Sequence, residues 1–273
     1  MYSVYRFLVL PALLLVVCTV TSAQVLRVCA DSNNLPYSND RGEGFENKLA
    51  ELVAHDLGRQ LEYVWWPASP LQSRKLFRSG ACDVMIEAPT HYELAETTRP
   101  YYRSSYVFVT RKDRHLSLHS LHDPFLRVAR IGLHGVGDGE FTPPAQELAS
   151  QGIVRNVSVY TIFGNLSRKN PPAELIDAVA RGDIDVAIAW GPLGGYFGKQ
   201  SAIPLEVSII CPEKDDPTRP LTFDMAMAVK RGNENLRQEL ESELTRRQSQ
   251  IREVLESYSV PMLEPGSKPR SCP

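Results

Sequence analysis

Strand-helix-strand-helix-strand occurs twice in this chain, and each pass ends on the same kind of strand, Cys82 to Ile86 and then Asp185 to Trp190. That order constrains the fold more than any other feature. Leu26 to Ala30 reads as a short buried strand. Phe45 to Leu57 follows with Phe45, Leu49, Leu52, Val53 and Leu57 along one helical face, and Gly58 ends the helix. Leu61 to Trp65 alternates as a second strand, Leu71 to Arg78 makes a helix stopped by Gly80, and Cys82 to Ile86 closes a doubly wound half.

Tyr106 to Thr110 is a fourth apolar strand, after which the pattern restarts. Val128 to Leu133 is a strand, Pro144 to Ser150 a helix, Val157 to Tyr160 a strand and Ala173 to Ala180 a helix ended by Gly182. The chain then returns through Leu205 to Cys211, a charged proline-rich stretch from Pro212 to Pro220, a strand at Thr222 to Val229, and a long helix from Glu234 to Tyr258. The expected fold class is α/β, with two lobes, a hinge and an interlobe cleft. Residues 24–112 with 213–273 form the first lobe and 113–212 the second; the final part packs on the first lobe. Two crossings between lobes make a geometry suited to closing around a ligand.

The N-terminus predicts where such a protein works. Arg6 precedes an apolar run from Phe7 to Val20, and Thr21, Ser22 and Ala23 are small enough for a signal peptidase, so residues 1–23 read as a signal peptide cleaved before Gln24. The run falls short of the ~20 apolar residues that span a bilayer. A lipoprotein anchor at Cys18 is the alternative, but Val17 is larger than the residue expected there. The mature protein is therefore expected in the periplasm, without stable membrane insertion.

Loss of Cys18 leaves Cys29, Cys82, Cys211 and Cys272, an even number in a compartment where disulfides persist. Four cysteines allow three connectivities. Cys29 with Cys82 is preferred, because both fall on neighbouring strands of one lobe, which leaves Cys211 with Cys272 to tie the tail. No CxxC or clustered histidine spacing supports a metal site. The 23% charged and 43% hydrophobic residues and net charge of −2 give no basic field, so nucleic acid is set aside as a partner.

Specific strings carry a family resemblance. Residues 84–102, VMIEAPTHYELAETTRPYY, keep the frame of a periplasmic amino-acid-binding protein at Pro89, Thr98, Pro100, Tyr101 and Tyr102. Leu26 to Asp31, Pro36-Tyr37, Gly44-Phe45-Glu46, Gly80-x-Cys82-Asp83-Val84 and Gly182-x-Ile184-Asp185-Val186-Ala187 stand in the order of the type II periplasmic binding proteins. Within that superfamily the chain resembles the J components of MxaJ and XoxJ type that accompany quinoprotein methanol dehydrogenases. The strings that carry this likeness are residues 29–54, 97–114, 170–197 and 223–232.

Set against the amino-acid binders, the resemblance implies loss of the usual solute. His91 stands where an arginine pairs bidentately with the ligand carboxylate, and no imidazole reproduces that planar fork. Gly137-Asp138 replaces a Gly-Ser/Thr-Thr turn, and Asp138 would repel a carboxylate; Trp190 replaces an aspartate that meets the ammonium. Losing two charge-assisted contacts costs on the order of 3 to 6 kcal/mol, which takes micromolar affinity to millimolar or worse.

The other cleft candidates are Asn34, Tyr37, Trp65, Trp66, Glu87, Arg99 and Tyr196. The aromatic ones, with Phe197, read as a pocket or partner-facing surface, or else as hinge and core packing. Glu87 and His91 are candidates for a titrating pair, with an ordinary hydrogen-bonded histidine as the plainer alternative. Arg99, Arg103, Arg111, Lys112 and Arg114 form a candidate docking patch for an acidic partner, or a solvated basic face.

Catalysis finds little support, and an enzyme, which would turn over without a partner, is the third reading: Gly-x-Ser-x-Gly and phosphate-cradling motifs are absent, and Gly135 to Gly139 lacks the third glycine of a dinucleotide loop. No catalytic residue and no resident cofactor are assigned. The resemblance implies a non-catalytic accessory that binds and matures or activates a quinoprotein methanol or alcohol dehydrogenase, whose pyrroloquinoline quinone and metal belong to the enzyme. The alternative is a transporter's substrate-binding protein for a small solute other than a standard amino acid.

Overall fold

The computed structural model describes residues 24–66, 70–90, 92–135, 141–162, 169–211 and 218–264. The first pass consists of β1 (Val25–Asp31), the hairpin β2 (Asn33–Asn34) and β3 (Ser38–Asn39), α1 (Phe45–Asp56), β4 (Gln60–Trp66), α2 (Pro70–Ser79) and β5 (Val84–Pro89). β6 (Glu96–Thr97) and β7 (Tyr102–Arg111) follow. The second pass is β8 (Ile131–Gly135), α3 (Pro143–Ser150), β9 (Val157–Thr161), α4 (Glu174–Arg181), β10 (Val186–Trp190), α5 (Gly191–Gln200) and β11 (Leu205–Ile209). β12 (Thr222–Val229), α6 (Glu234–Arg246) and α7 (Gln248–Ser257) complete the described chain.

The sheet runs β4-β1-β5-β12-β7-β10-β8-β9, with β11 also on β7 and β6 on β12. β1 lies parallel to both β4 and β5, and β8 parallel to both β10 and β9, so each pass builds its own parallel unit. β7 belongs to both. Its residues Tyr102 to Ser105 pair antiparallel with β12, and Tyr106 to Thr110 pair with β10. Beside that change, the Tyr106 N–H and the Ser105 hydroxyl both donate to the Leu221 carbonyl, at 2.9 and 3.1 Å.

Apolar periodicity explains the cores. Phe45, Leu49, Ala50 and Val53 of α1 bury against Leu26, Val28, Val84 and Ile86, and Leu236, Leu240, Leu244, Ile251 and Leu255 of α6 and α7 join them. The C-terminal helices thus share one core with α1, β1 and β5. Leu175, Ile176 and Val179 of α4 bury with Val107, Val109 and Ala187 in the second lobe. Cys29 and Cys82 form a disulfide with Cα atoms 5.4 Å apart, a normal span for the bond. Cys211 is also disulfide-bonded, and its expected partner Cys272 lies outside the described residues.

The sequence pattern missed three details. The helix expected from Glu234 to Tyr258 is two helices that break at Arg247, whose guanidinium pairs with Asp56 at 2.6 and 2.8 Å. The strand expected from Val128 starts only at Ile131, because Pro124–Arg127 forms a 3₁₀ turn that leaves Val128 exposed. α5 was not expected at all. Its glycines fit tight packing: a Cβ on Gly195 would lie 2.0 Å from the Ser259 carbonyl oxygen.

Among the described residues no helix is long and apolar enough to cross a membrane. The signal sequence expected at 1–23 lies outside them.

Candidate functional site

Asp31 closes β1, Glu87 lies near the end of β5, and Glu46 is in the first turn of α1. In a parallel α/β unit these positions share the edge where ligands bind. Asp31 is 3% exposed; its Oδ1 accepts from the Asn33 N–H at 2.8 Å, and its Oδ2 has no partner. Glu87 is half-buried as a residue, but its Oε2 is sealed from solvent and also unpartnered.

Aromatic rings surround these carboxyls. Trp190, at the end of β10, stands edge-on to Tyr106 at 5.4 Å and to Phe223 of β12 at 5.5 Å between ring centres. Tyr101 and Tyr102 open β7 with their rings 5.1 Å apart, and the Tyr101 hydroxyl donates to the Ile86 carbonyl at 3.0 Å. Tyr37 leans edge-on to Phe45 at 5.3 Å. Tyr37 and Trp190 each pack against the cores of both lobes, so the cluster lies at their junction.

The electrostatics follow from this packing. Burial pushes the Glu87 carboxyl up to about 8, while Tyr102 and the Trp190 indole act as hydrogen-bonding neighbours and hold it lower than burial alone would. The Tyr102 hydroxyl nevertheless falls outside strict hydrogen-bond geometry with any partner. Glu46 is raised well above the usual carboxylate range by lost solvation and by the nearby charges of Glu87 and Asp31. Burial also raises Asp31, against the Asn33 N–H that lowers it. Tyr37, Tyr101 and Tyr102 are raised well above the usual phenol value, chiefly by burial and then by Glu87.

The structure thus brings Tyr37, Glu87 and Trp190 together. Asn34 adjoins them in β2, where its carbonyl accepts from the Tyr37 N–H at 2.9 Å and its side-chain oxygen has no partner. Tyr196 of α5 stacks on Tyr258, just after α7, at 5.7 Å, and Phe197 is buried in the second-lobe core. Trp65 and Trp66 stand apart on the outer strand β4: Trp65 is 36% exposed and stacks on Tyr63, and Trp66 packs beside the Cys29–Cys82 disulfide.

Arg99 is exposed and bonds to Glu241 through its backbone N–H and its guanidinium. Arg103 pairs with Asp224, and Arg111 with Asp113, so part of the basic group is neutralised within the chain. His91 and Asp138 lie outside the described residues. Asp31, Glu46, Tyr106 and Phe223 are site residues that the sequence reading did not select. The first two stood in strings used only to recognise the fold, and their placement at strand end and helix start was the available signal.

Residues 26–259 match the bacterial extracellular solute-binding proteins, family 3. The chain belongs to that family. Among curated relatives, Protein MoxJ of Methylorubrum extorquens is 31% identical over 255 residues, covering 88% of this chain and 82% of MoxJ. Among solved structures, periplasmic binding protein XoxJ of Methylobacterium extorquens AM1 is 36% identical with a TM-score of 0.71, over 88% of this chain and all of XoxJ. MxaJ of Methlophaga aminisulfidivorans is 25% identical with a TM-score of 0.74, over 88% of this chain and 100% of that one.

The fold class and the likeness to the MxaJ and XoxJ group expected from sequence are therefore met. This family 3 solute-binding protein has a two-lobed type II periplasmic binding-protein fold. Where its lobes meet lie the Asp31, Glu46 and Glu87 carboxyls, whose charged forms burial disfavours.

Proposed function

We propose that this protein is a non-catalytic periplasmic accessory of a quinoprotein methanol or alcohol dehydrogenase, binding the enzyme and maturing or activating it. The likeness to MoxJ, XoxJ and MxaJ over most of the chain supports the setting. The observation that carries the reading against ordinary amino-acid transport is Trp190, an indole set beside Glu87 at the position where the amino-acid binders keep an aspartate for the ligand ammonium. A loop or terminus of the enzyme is the proposed occupant of the cleft, and the dehydrogenase carries the quinone and its metal.

The two lobes are proposed as the moving parts. The pairing change within β7 supports placing the first crossing near Ser105 and Tyr106 rather than at residue 112. The unpartnered Asp31, Glu87 and Tyr102 atoms favour one alternative, a transporter's receptor for a small solute other than a standard amino acid.

Immobilised mature protein exposed to periplasmic extract from alcohol-grown cells of its source tests the proposal. Retention of a quinoprotein dehydrogenase, with turnover altered when the protein is added, is the expected result. Retention of no dehydrogenase, together with thermal stabilisation by a small solute, would replace this reading by the transport one.

A further inference from the structure

A cavity of about 210 Å³ lies where the start of β7 meets the end of α6, α7 and the segment after α7. Its lining holds no residue from 113–212, so it is separate from the cleft expected between the lobes. Three guanidinium groups converge on it, those of Arg99, Arg103 and Arg252. The first two were read from the sequence as part of a basic patch; the third comes from a distant stretch of the chain. Each has donors to spare. Arg103 is held by Asp224 at 3.2 Å and by Thr222 at 3.0 Å, yet its Nε is sealed from solvent without a partner. Arg252 stands 3.8 Å from both Glu256 and Glu264, beyond hydrogen-bond reach. The Arg99 guanidinium donates to the Glu241 carbonyl at 3.3 Å. A buried N–H left unsatisfied, as at Arg103, is uncommon and calls for a cause.

Charge and volume narrow the ligand. Asp224 and Glu264 also line the cavity, so three positive charges against two negative ones leave a single positive charge. An anion of one charge balances that site, whereas a phosphate dianion does not. A planar guanidinium meets a carboxylate with two parallel N–H groups. Leu244, Ile251, Met262 and Leu263, with Tyr101, supply an apolar remainder of the wall. An apolar cavity of about 150 Å³ takes benzene. One of about 210 Å³ therefore has room for a body of that size bearing a carboxylate, and too little for a peptide segment.

We infer that this cavity binds a small organic monocarboxylate with a compact apolar body, its carboxylate gripped by Arg103 and Arg252 and its body set against Ile251 and Met262. The site is a second one, independent of the cleft and of the proposed accessory role. Leu263, whose N–H donates to the Arg103 carbonyl at 2.9 Å, forms part of its wall, so an occupant would brace the segment after α7 against β7.

Titration calorimetry on the full mature protein tests this, with benzoate as the probe, benzyl alcohol as its neutral counterpart and inorganic phosphate as a competitor. The expected result is saturable binding of benzoate, at least about tenfold weaker binding of the alcohol, and no displacement by equimolar phosphate. Arg252→Gln should weaken benzoate about tenfold, the loss of one charge-assisted contact. Arg99→Gln provides the same reading if Arg252→Gln does not fold. Met262→Trp, which fills the apolar end, should abolish binding and so place benzoate here rather than in the cleft. Absence of saturable benzoate binding, equal binding of the alcohol, displacement by phosphate, or unchanged affinity in the folded variants overturns the inference. Retention of the dehydrogenase reads the accessory role separately, so either conclusion can fail alone.

Discussion

Glu87 links sequence and site at the scale of single residues. Its candidacy was legible because it stands in the string that resembles a ligand-binding turn. Its burial was not, because the Trp190 that bonds to it arrives from a strand 103 residues later in the chain. Glu46 was hidden for a different reason: an acid in a first helical turn ordinarily favours the helix dipole and reads as local. A carboxyl held near 8 binds its proton in the folded state at pH values where the unfolded chain has lost it. The stability this contributes is full below the ordinary carboxylate value and is lost as pH rises through about 8. Burial raises the Asp31 and Glu46 carboxyls as well, so each acts on stability with the same sign, while Tyr37, Tyr101 and Tyr102 are raised away from that window. Denaturant unfolding at pH 5.5 and 8.5 should show the wild type losing up to a few kcal/mol over that interval, and Glu87→Gln losing distinctly less. An equal loss in both proteins would remove Glu87 as the cause.

Among the elements, the two passes share one device. After α2 and after α4, Gly80 and Gly182 turn the chain at φ 74° and 79°, and the aspartate three residues on grips the strand that opens its own lobe. Asp83 accepts from the Arg27 backbone N–H at 2.9 Å and from its guanidinium at 2.7 and 3.1 Å. Asp185 accepts from Arg130 at the same three distances. Asp83→Ala and Asp185→Ala should each cost about 1–3 kcal/mol in unfolding free energy, since each frees a backbone N–H in β1 or just before β8, and the double variant should be close to additive. This motif was readable as text, though its arginine partners were not. α5 was unreadable for the opposite reason. A helix containing Pro192 and four glycines violates propensity, and only the close approach of β7 and of Ser259 explains it. Gly195→Ala should lower thermal stability by the equivalent of about 1–3 kcal/mol, as overpacking does, whereas the same change at Gly152, where a Cβ meets no neighbour, costs only its left-handed backbone strain. Reduction of the Cys29–Cys82 disulfide, whose cysteines are 53 residues apart, should cost about 2–4 kcal/mol, read from melts with and without reductant.

For the molecule as a whole, two lobes and a returning C-terminal part followed from the order of elements, but what joins them did not. Beyond β7 and β12, the segment after α7 forms a further link. Leu263 donates its N–H to the Arg103 carbonyl at 2.9 Å and Ser104 its hydroxyl to the Pro261 carbonyl at 2.6 Å, which fix the segment to the first part of β7, and from there Tyr258 reaches across to stack on Tyr196 of α5. Direct contact across the lobes continues at Asn170, whose N–H donates to Asn33 Oδ1 at 3.1 Å. These links depend on contacts between residues distant in sequence, which no local pattern encodes. Tyr258→Ala removes a pair worth about 0.5–1.5 kcal/mol beyond its area, and should increase the radius of gyration in small-angle scattering and speed amide exchange around β7. An unchanged scattering profile and exchange pattern would show that the stack does not restrain the lobes. Because β7 passes unbroken from one ladder to the other, the proposed movement of the lobes would twist this strand between its two sets of ladder bonds. Such a joint behaves as a torsion spring rather than a door on a pin: its resistance grows with angle, its resting position is set by strand twist, and a bound occupant would need to supply only the modest work of holding it away from that position.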